Sequence, residues 1–283
     1  DNIEVDTSVY KNKESWLNFA FKKGFNKLTT KILIKNDVKK VSNLPIKDIK
    51  NLISYYQILN KDEKILNEIK NINIFFDKEK ISNFFYKNDI LYADIFDKEI
   101  TILPILFKDK NFFIYSNNFF YENWKNQLNK KKNVEYILPV ETLEHFQIVK
   151  NKLDKIETIK IIEIFPEQDN KNYFFIAIEE QDNKLKIFIK GLINKKEVVK
   201  SFSLDQNDSP RDVFFKQTIT KAKEEIEEMI KSKNLIDVKT PSFLNVKLNI
   251  NKIDDLINIQ NSLTKIDLIE KFNVTEINNK YAR

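Results

Sequence analysis

Three residue types that many catalytic and cofactor-binding motifs require are absent or nearly absent from this chain. It has no cysteine, which excludes a disulfide framework, a cysteine-ligated zinc site and a thiol nucleophile. Glycine occurs only at Gly24 and Gly191, which excludes the dinucleotide-binding turn, the phosphate-binding P-loop and the α/β-hydrolase nucleophile elbow. The one histidine, His145, excludes a multi-histidine metal centre. We expect His145, three positions after a predicted N-cap at Thr142, to be exposed or locally hydrogen-bonded and not catalytic.

Arginine is also scarce, although the chain is basic. Arg211 and Arg283 are the only two arginines, against a formal net charge of +6. Arginine is the side chain best suited to bidentate phosphate contacts, whereas lysines interspersed with acids typically form solvated faces. We therefore predict no nucleic-acid partner. Nucleic-acid binding stays as an alternative because the segments NYFFIAIEE and NFFIYSN place aromatic residues on predicted strands, as stacking platforms do.

Long uninterrupted apolar runs are missing too. The most apolar stretch, residues 101–124, is interrupted by Lys108, Asp109 and Lys110, so it falls short of the roughly 20 apolar residues that span a bilayer. We therefore predict no transmembrane segment. The composition, 42% hydrophobic and 32% charged, is instead that of a globular protein with a sizeable core.

Hydrophobic periodicity predicts an α/β (α+β) fold with mixed sheets and helices packed on one face. We predict two domains, 1–132 and 133–283, divided at the polar run that ends at Asn133. The pattern of residues 242–283 predicts a strand–helix–strand unit. Whether this unit is a separate subdomain is left open. The principal predicted helices are 14–33, 78–88, 117–128 and 210–231. The principal predicted strands are 52–59, 68–77, 99–107, 111–116, 134–140, 156–165, 173–180, 184–191 and 196–204.

Paired carboxylates are the remaining route to catalysis. Glu179 with Glu180 and Glu163 with Glu167 are examples, but two-carboxylate chemistry depends on a set distance in a cleft that sequence spacing does not give. No loop of the EF-hand type occurs, and we predict no metal site and no cofactor. A hydrolase that depends on a metal ion or on Asp and Glu alone stays as an alternative.

The order of segments resembles an exported proteobacterial family, best represented in alphaproteobacteria, that is known only as a conserved domain of unknown function. The similar segments are IEVDTSV, WLNFAFKKGFNKLTTKIL, INIFFDKEKISNFFYKNDILYAD, ITILPILFKDKNFFIYSNNFFYENW and VEYILPVETLEHFQIV. Leu103, Pro104, Asn118 and Trp124 fall on the family pattern, whereas Phe119 stands where the family tends to proline. The resemblance implies an exported, periplasmic protein whose signal peptide has been removed. It implies no activity.

We therefore expect a non-enzymatic binding or scaffolding module of the bacterial envelope whose partner is another envelope protein. The sequence gives no catalytic residues and no oligomeric state. The candidate binding site is a solvent-facing corner at Asn117, Asn118 and Trp124, where a predicted strand turns into a predicted helix.

Overall fold

A computed structural model describes residues 2–59, 69–93, 99–125, 134–166, 172–236, 246–249, 252–266, 269, 272–278 and 281–283. The chain forms two compact units, residues 1–237 and residues 238–283. The predicted division at residue 132 falls inside the first unit. No helix in the described ranges combines the length and the hydropathy that crossing a membrane requires.

The fold is α/β with mixed sheets. The helices are α1 Lys13–Ile32, α2 Lys35–Val41, α3 Ile46–Leu52, α4 Lys78–Lys87, α5 Phe119–Asn123, α6 Leu143–Asn151, α7 Ile161–Ile164, α8 Arg211–Lys233 and α9 Ile253–Leu263. A 3₁₀ helix, Leu153–Thr158, lies between α6 and α7. The strands are β1 Asn2–Asp6, β2 Ile53–Leu59, β3 Ile69–Phe76, β4 Tyr92–Ala93, β5 Glu99–Lys108, β6 Asn111–Phe113, β7 Glu135–Ile137, β8 Asn172–Gln181, β9 Lys184–Ile193, β10 Lys196–Asp205, β11 Leu235–Ile236, β12 Leu248–Asn249 and β13 Tyr281–Ala282.

A six-stranded sheet organises the first unit. Its order is β10-β9-β8-β5-β6. Strand β7 pairs with the first residues of β5, and β6 pairs with the last residues of β5 on the same edge. The β5–β8 and β5–β7 ladders are parallel and the others antiparallel. Because β5 precedes residue 132 and β8 follows it, one sheet joins strands from both sides of the predicted division.

Helices cover both faces of this sheet. On one face α5 and α8 bury the sheet residues that point towards them, including Ile102, Phe174 and Ile176. On the other face α6, α7 and the 3₁₀ helix cover a separate cluster that includes Leu103 and Phe175. Successive residues of a strand point to opposite faces of the sheet. Strands β5 and β8 are buried on both faces, so their alternate residues enter two separate apolar clusters.

A second sheet, of order β1-β3-β2, packs its inner face against a helical cluster that includes α1 and α4. The predicted arrangement, with helices on one face, describes this sheet. Its outer face carries the exposed, stacked rings of Tyr55 and Phe75, whose centroids are 4.3 Å apart. The outer edge of β1 is covered, because Lys23 Nζ and Lys27 Nζ donate to the carbonyls of Glu4 and Asn2 at 3.3 Å.

The isoleucine-rich segment 156–165 is a correction to the sequence prediction. It was predicted as a strand and forms the end of the 3₁₀ helix followed by α7. Ile161 and Ile164, three positions apart, both pack on the sheet, which is the spacing of a helix face and not of a strand. In the second unit β12, α9 and β13 follow the predicted strand–helix–strand order, and β12 pairs with β13.

Candidate functional site

Two of the three residues of the predicted binding corner are buried. Asn117 is exposed and has a positive φ of 57°, which places it in a turn. Asn118 and Trp124 are both 0% exposed. A binding role for the three residues stays a prediction. The contacts of Asn118 and Trp124 are inside the protein.

Asn118 joins β5, β6 and α5. Its side-chain oxygen accepts from the N–H groups of Phe120 and Tyr121, so Asn118 is the N-cap of α5. Its Nδ2 lies within 3.0 Å of three carbonyl oxygens, those of Pro104, Phe113 and Ile114. Pro104 is tolerated inside β5 because it lies between the short ladders with β7 and β6, where no strand requires its missing N–H.

Trp124 is held by α8. Lys223 Nζ donates to the Trp124 carbonyl at 2.6 Å and lies 4.8 Å from the centroid of the Tyr136 ring. Burial raises the pKa of the Tyr136 phenol well above its ordinary value, because the phenolate would be desolvated. These contacts stabilise the closure of the sheet.

His145 is also a structural residue. It is 7% exposed, so the expectation of an exposed imidazole was wrong, and its ring is hydrogen-bonded to distant residues and not locally. Its Nε2 lies 2.8 Å from the Ile164 carbonyl, and its Nδ1 is hydrogen-bonded to the Tyr115 hydroxyl. Burial also raises the pKa of Tyr115, whose hydroxyl accepts from the N–H of Thr142. The sequence could not show this, because the partners are 30 and 19 residues away.

The open site lies on the six-stranded sheet beyond the 3₁₀ helix, where the helical cover ends. We call this cavity, of about 1010 Å³, the sheet groove. It is lined by the ends of β5 and β8, by the start of β9, by β10 and by the 3₁₀ helix. The lining residues are Phe107–Asn111, Leu153, Asp154, Ile156, Glu157, Ala177, Glu179–Asp182, Lys186–Phe188 and Ser201–Ser203.

The floor of the sheet groove consists of aligned positions on three strands. Ala177 is opposite Phe188, and Phe188 is opposite Ser201. Two small side chains therefore flank one aromatic ring, which leaves an apolar depression. The next row, two residues along, is Glu179, Lys186 and Ser203, so the floor becomes polar towards the turns.

Two carboxylates of the sheet groove, Glu179 and Glu180, have cationic partners. Glu179 pairs with Lys186 at 3.6 Å. Glu180 receives two hydrogen bonds from Arg211, at 2.8 and 3.1 Å, and pairs with Lys108 at 3.4 Å. As neighbours on β8 the two acids point to opposite faces. Within the described ranges no three His, Asp or Glu side chains are grouped so as to hold a metal ion.

The other predicted carboxylate pair includes a residue outside the described ranges, Glu167. Its partner Glu163 accepts hydrogen bonds from Lys152 Nζ and from the Lys160 N–H. These bonds lower the Glu163 pKa from its ordinary value, Lys152 making the larger contribution. A carboxyl held ionised in this way suits an ion pair that fixes α7, whereas a general acid needs a raised pKa.

Sequence reasoning missed the sheet groove because its lining comes from four separate segments. One signal was available. In KEVVKSFSL the exposed positions Glu197, Val199, Ser201 and Ser203 alternate with more buried ones, which is typical of a strand with one open face.

No known protein family matches the chain, and no curated protein matches it. The family resemblance stated from the sequence stays a prediction. Among solved structures, lipoprotein GNA1162 from Neisseria meningitidis is similar at 11% identity and a TM-score of 0.27, over 46% of this chain and 96% of that chain. The C-terminal domain of LpoB from Salmonella enterica is similar at 9% identity and a TM-score of 0.25, over 44% of this chain and 93% of that one. At these TM-scores neither likeness bears on activity or partners.

Proposed function

We propose that this chain is a non-enzymatic protein-binding module of the bacterial envelope and that the sheet groove is its binding surface. The observation that carries the proposal is the open face of β8, β9 and β10, where an apolar depression at Phe188 is bordered by the Glu179–Lys186 ion pair and by other polar side chains. Protein–protein interfaces combine an apolar core with a polar rim.

The electrostatics favour binding over hydrolysis. Two-carboxylate catalysis requires acids whose pKa values are pushed apart in one cleft. Glu179 and Glu180 are instead neutralised separately, by Lys186 and by Arg211. The envelope location rests on the sequence resemblance, which implies an exported protein and, as its partner, another envelope protein.

Substitution at Ser203 tests the function at its proposed site. Ser203→Trp places an indole over the groove floor, and Ser203→Ala removes only the hydroxyl. The native chain and both variants are immobilised and exposed separately to envelope and cytosolic proteins of the source bacterium. We expect an envelope protein that is retained by the native and Ala chains and lost from the Trp chain. Equal retention on all three chains, capture from the cytosol alone, or no capture would contradict the proposal.

A further inference from the structure

The backbone of β10 presents an unpaired edge beside the sheet groove. The β9–β10 turn contains two residues, Asn194 and Lys195, with φ of 48° and 65°, as in a two-residue hairpin. In such a hairpin the flanking pair, Ile193 and Lys196, exchanges hydrogen bonds, and bonded pairs then alternate along the ladder. The residues that bond to β9 are therefore Lys196, Val198, Lys200, Phe202 and Leu204.

The alternate residues direct their N–H and C=O groups away from β9. These outward residues are Glu197, Val199, Ser201, Ser203 and Asp205. All five are exposed, and Ser201 and Ser203 line the sheet groove. The same five positions thus provide both the free backbone groups and the open face.

The other edge strands in the described ranges are shorter or partly covered: β2 has seven residues, and β6 and β7 have three each. Lysines cover the carbonyls of β1, and β6 and β7 share the far edge of β5. Along β10, the described ranges provide no backbone or side-chain partner for the N–H and C=O groups of Val199, Ser201 and Ser203. A regular edge of ten residues with unsatisfied backbone groups is a template for another strand.

We propose that the ligand of the sheet groove is an extended peptide that adds to β10 as an antiparallel strand. Its apolar side chains would alternate over the groove, and a basic side chain would lie opposite Glu197 and opposite Asp205. This inference rests on the proposed function, whose site it shares. Strand addition draws affinity from main-chain hydrogen bonds and specificity from pockets for alternate side chains.

The charges at the ends of β10 determine the partner. Glu197 has no ion pair within the described ranges, and Asp205 is 72% exposed with Lys184 3.7 Å away. A second copy that used all five outward residues would pair Ser201 with Ser201 and place Glu197 opposite Asp205 of its partner. Like charges directly opposite each other destabilise a strand pair. A peptide with basic ends therefore fits this edge better than a second copy.

A labelled nonapeptide, KTVTITVTK, tests the inference by fluorescence anisotropy. In the bonded register its valines and isoleucine direct their N–H groups to β10, and its threonines direct theirs to solvent. We expect N-methylation of the three apolar residues to weaken binding at least about tenfold, since it removes three main-chain hydrogen bonds to β10. N-methylation of three threonines is the matched control and should leave binding within about twofold.

Variants of Ser201 test the same bonds from the protein side. Ser201→Pro removes an outward N–H that β9 does not use, so the ladder stays intact, and circular dichroism checks the fold. We expect Ser201→Pro to weaken binding and Ser201→Ala to retain it. Equal binding by the two variants would overturn the inference.

The possible outcomes separate this inference from the proposed function. If Ser203→Trp abolishes peptide binding but N-methylation of the peptide leaves binding unchanged, strand addition is overturned. The proposed function of the groove then remains intact. If sedimentation shows a dimer of the native chain and Ser201→Pro dissociates that dimer, the occupant of β10 is a second copy. This result also overturns the peptide inference. No binding at millimolar peptide refutes the inference, while the capture experiment decides the function separately.

Discussion

Glu225 of α8 connects three segments through three lysines, and its removal is the clearest test of how β10 is positioned. Its side chain is 7% exposed. It pairs with Lys35 of α2 at 2.8 Å, with Lys221 of α8 at 2.9 Å, and with Lys200 of β10. The variant Glu225→Gln keeps the shape of the side chain and removes its charge.

The magnitude follows from the pKa of this carboxyl. Desolvation raises it, but the hydrogen bonds from Lys200, Lys35 and Lys221 outweigh that effect and lower it from 4.5 to about 2. Such a difference between the unfolded and folded chain corresponds to a ceiling of about 3 kcal/mol. Because the lysines are half-exposed and screened by solvent, we expect Glu225→Gln to lower the free energy of unfolding by about 1–3 kcal/mol at pH 7.

The sign of the pH dependence is fixed by the lowered pKa. The stabilisation is complete above the unfolded pKa of 4.5 and is lost as the pH falls towards 2. Urea unfolding at pH 7, 4.5, 3 and 2 should therefore show a native–variant difference that shrinks across this window. Glu224→Gln, the exposed neighbour, changes the net charge equally and is the control. A difference that is independent of pH, or equal losses in both variants, would refute the reasoning.

Three further substitutions are checked by the same unfolding assay. Asn118→Ala orphans buried carbonyls and loses the N-cap of α5, so we expect a loss of about 2–4 kcal/mol; a loss below 1 kcal/mol would be inconsistent with this role. Gly191→Ala brings a Cβ into overlap with the Phe174 ring and should cost about 1–3 kcal/mol, more than Gly24→Ala, where the neighbour is a flexible isoleucine end. Lys231→Met removes the Nζ that donates to the carbonyls of Thr30 and Leu33 at the end of α1, and should cost about 1–2 kcal/mol; an unchanged midpoint would contradict this role.

The elements with a clear period were predictable from the sequence. The stripe of α1 and the alternation along β8, β9 and β10 gave bounds within three residues of those observed. The predicted strands 99–107 and 111–116 leave a charged connection between them, and Asp109 and Lys110 form a turn there with positive φ at both residues. Local pattern was sufficient because each of these elements buries one face or both along its whole length.

Other features depend on pairing between distant segments. The isoleucines before Phe165 suit a strand by composition, yet they pack as a short helix on a sheet that already has its strands. β5 pairs with β8 some seventy residues later, and no local signal specifies that partner. Asn118 was predicted to face solvent but is buried, because its side-chain amide bonds to β5 and β6.

Hydrogen exchange along β10, measured with and without the peptide or a captured envelope protein, tests most directly whether this strand is the binding edge. In the free chain the amides of Val198, Lys200 and Phe202 should exchange slowly, and those of Ser201 and Ser203 quickly. We predict that the bound partner slows exchange at Ser201 and Ser203. Slow exchange at these two amides in the free chain, or no change on binding, would contradict a site on β10.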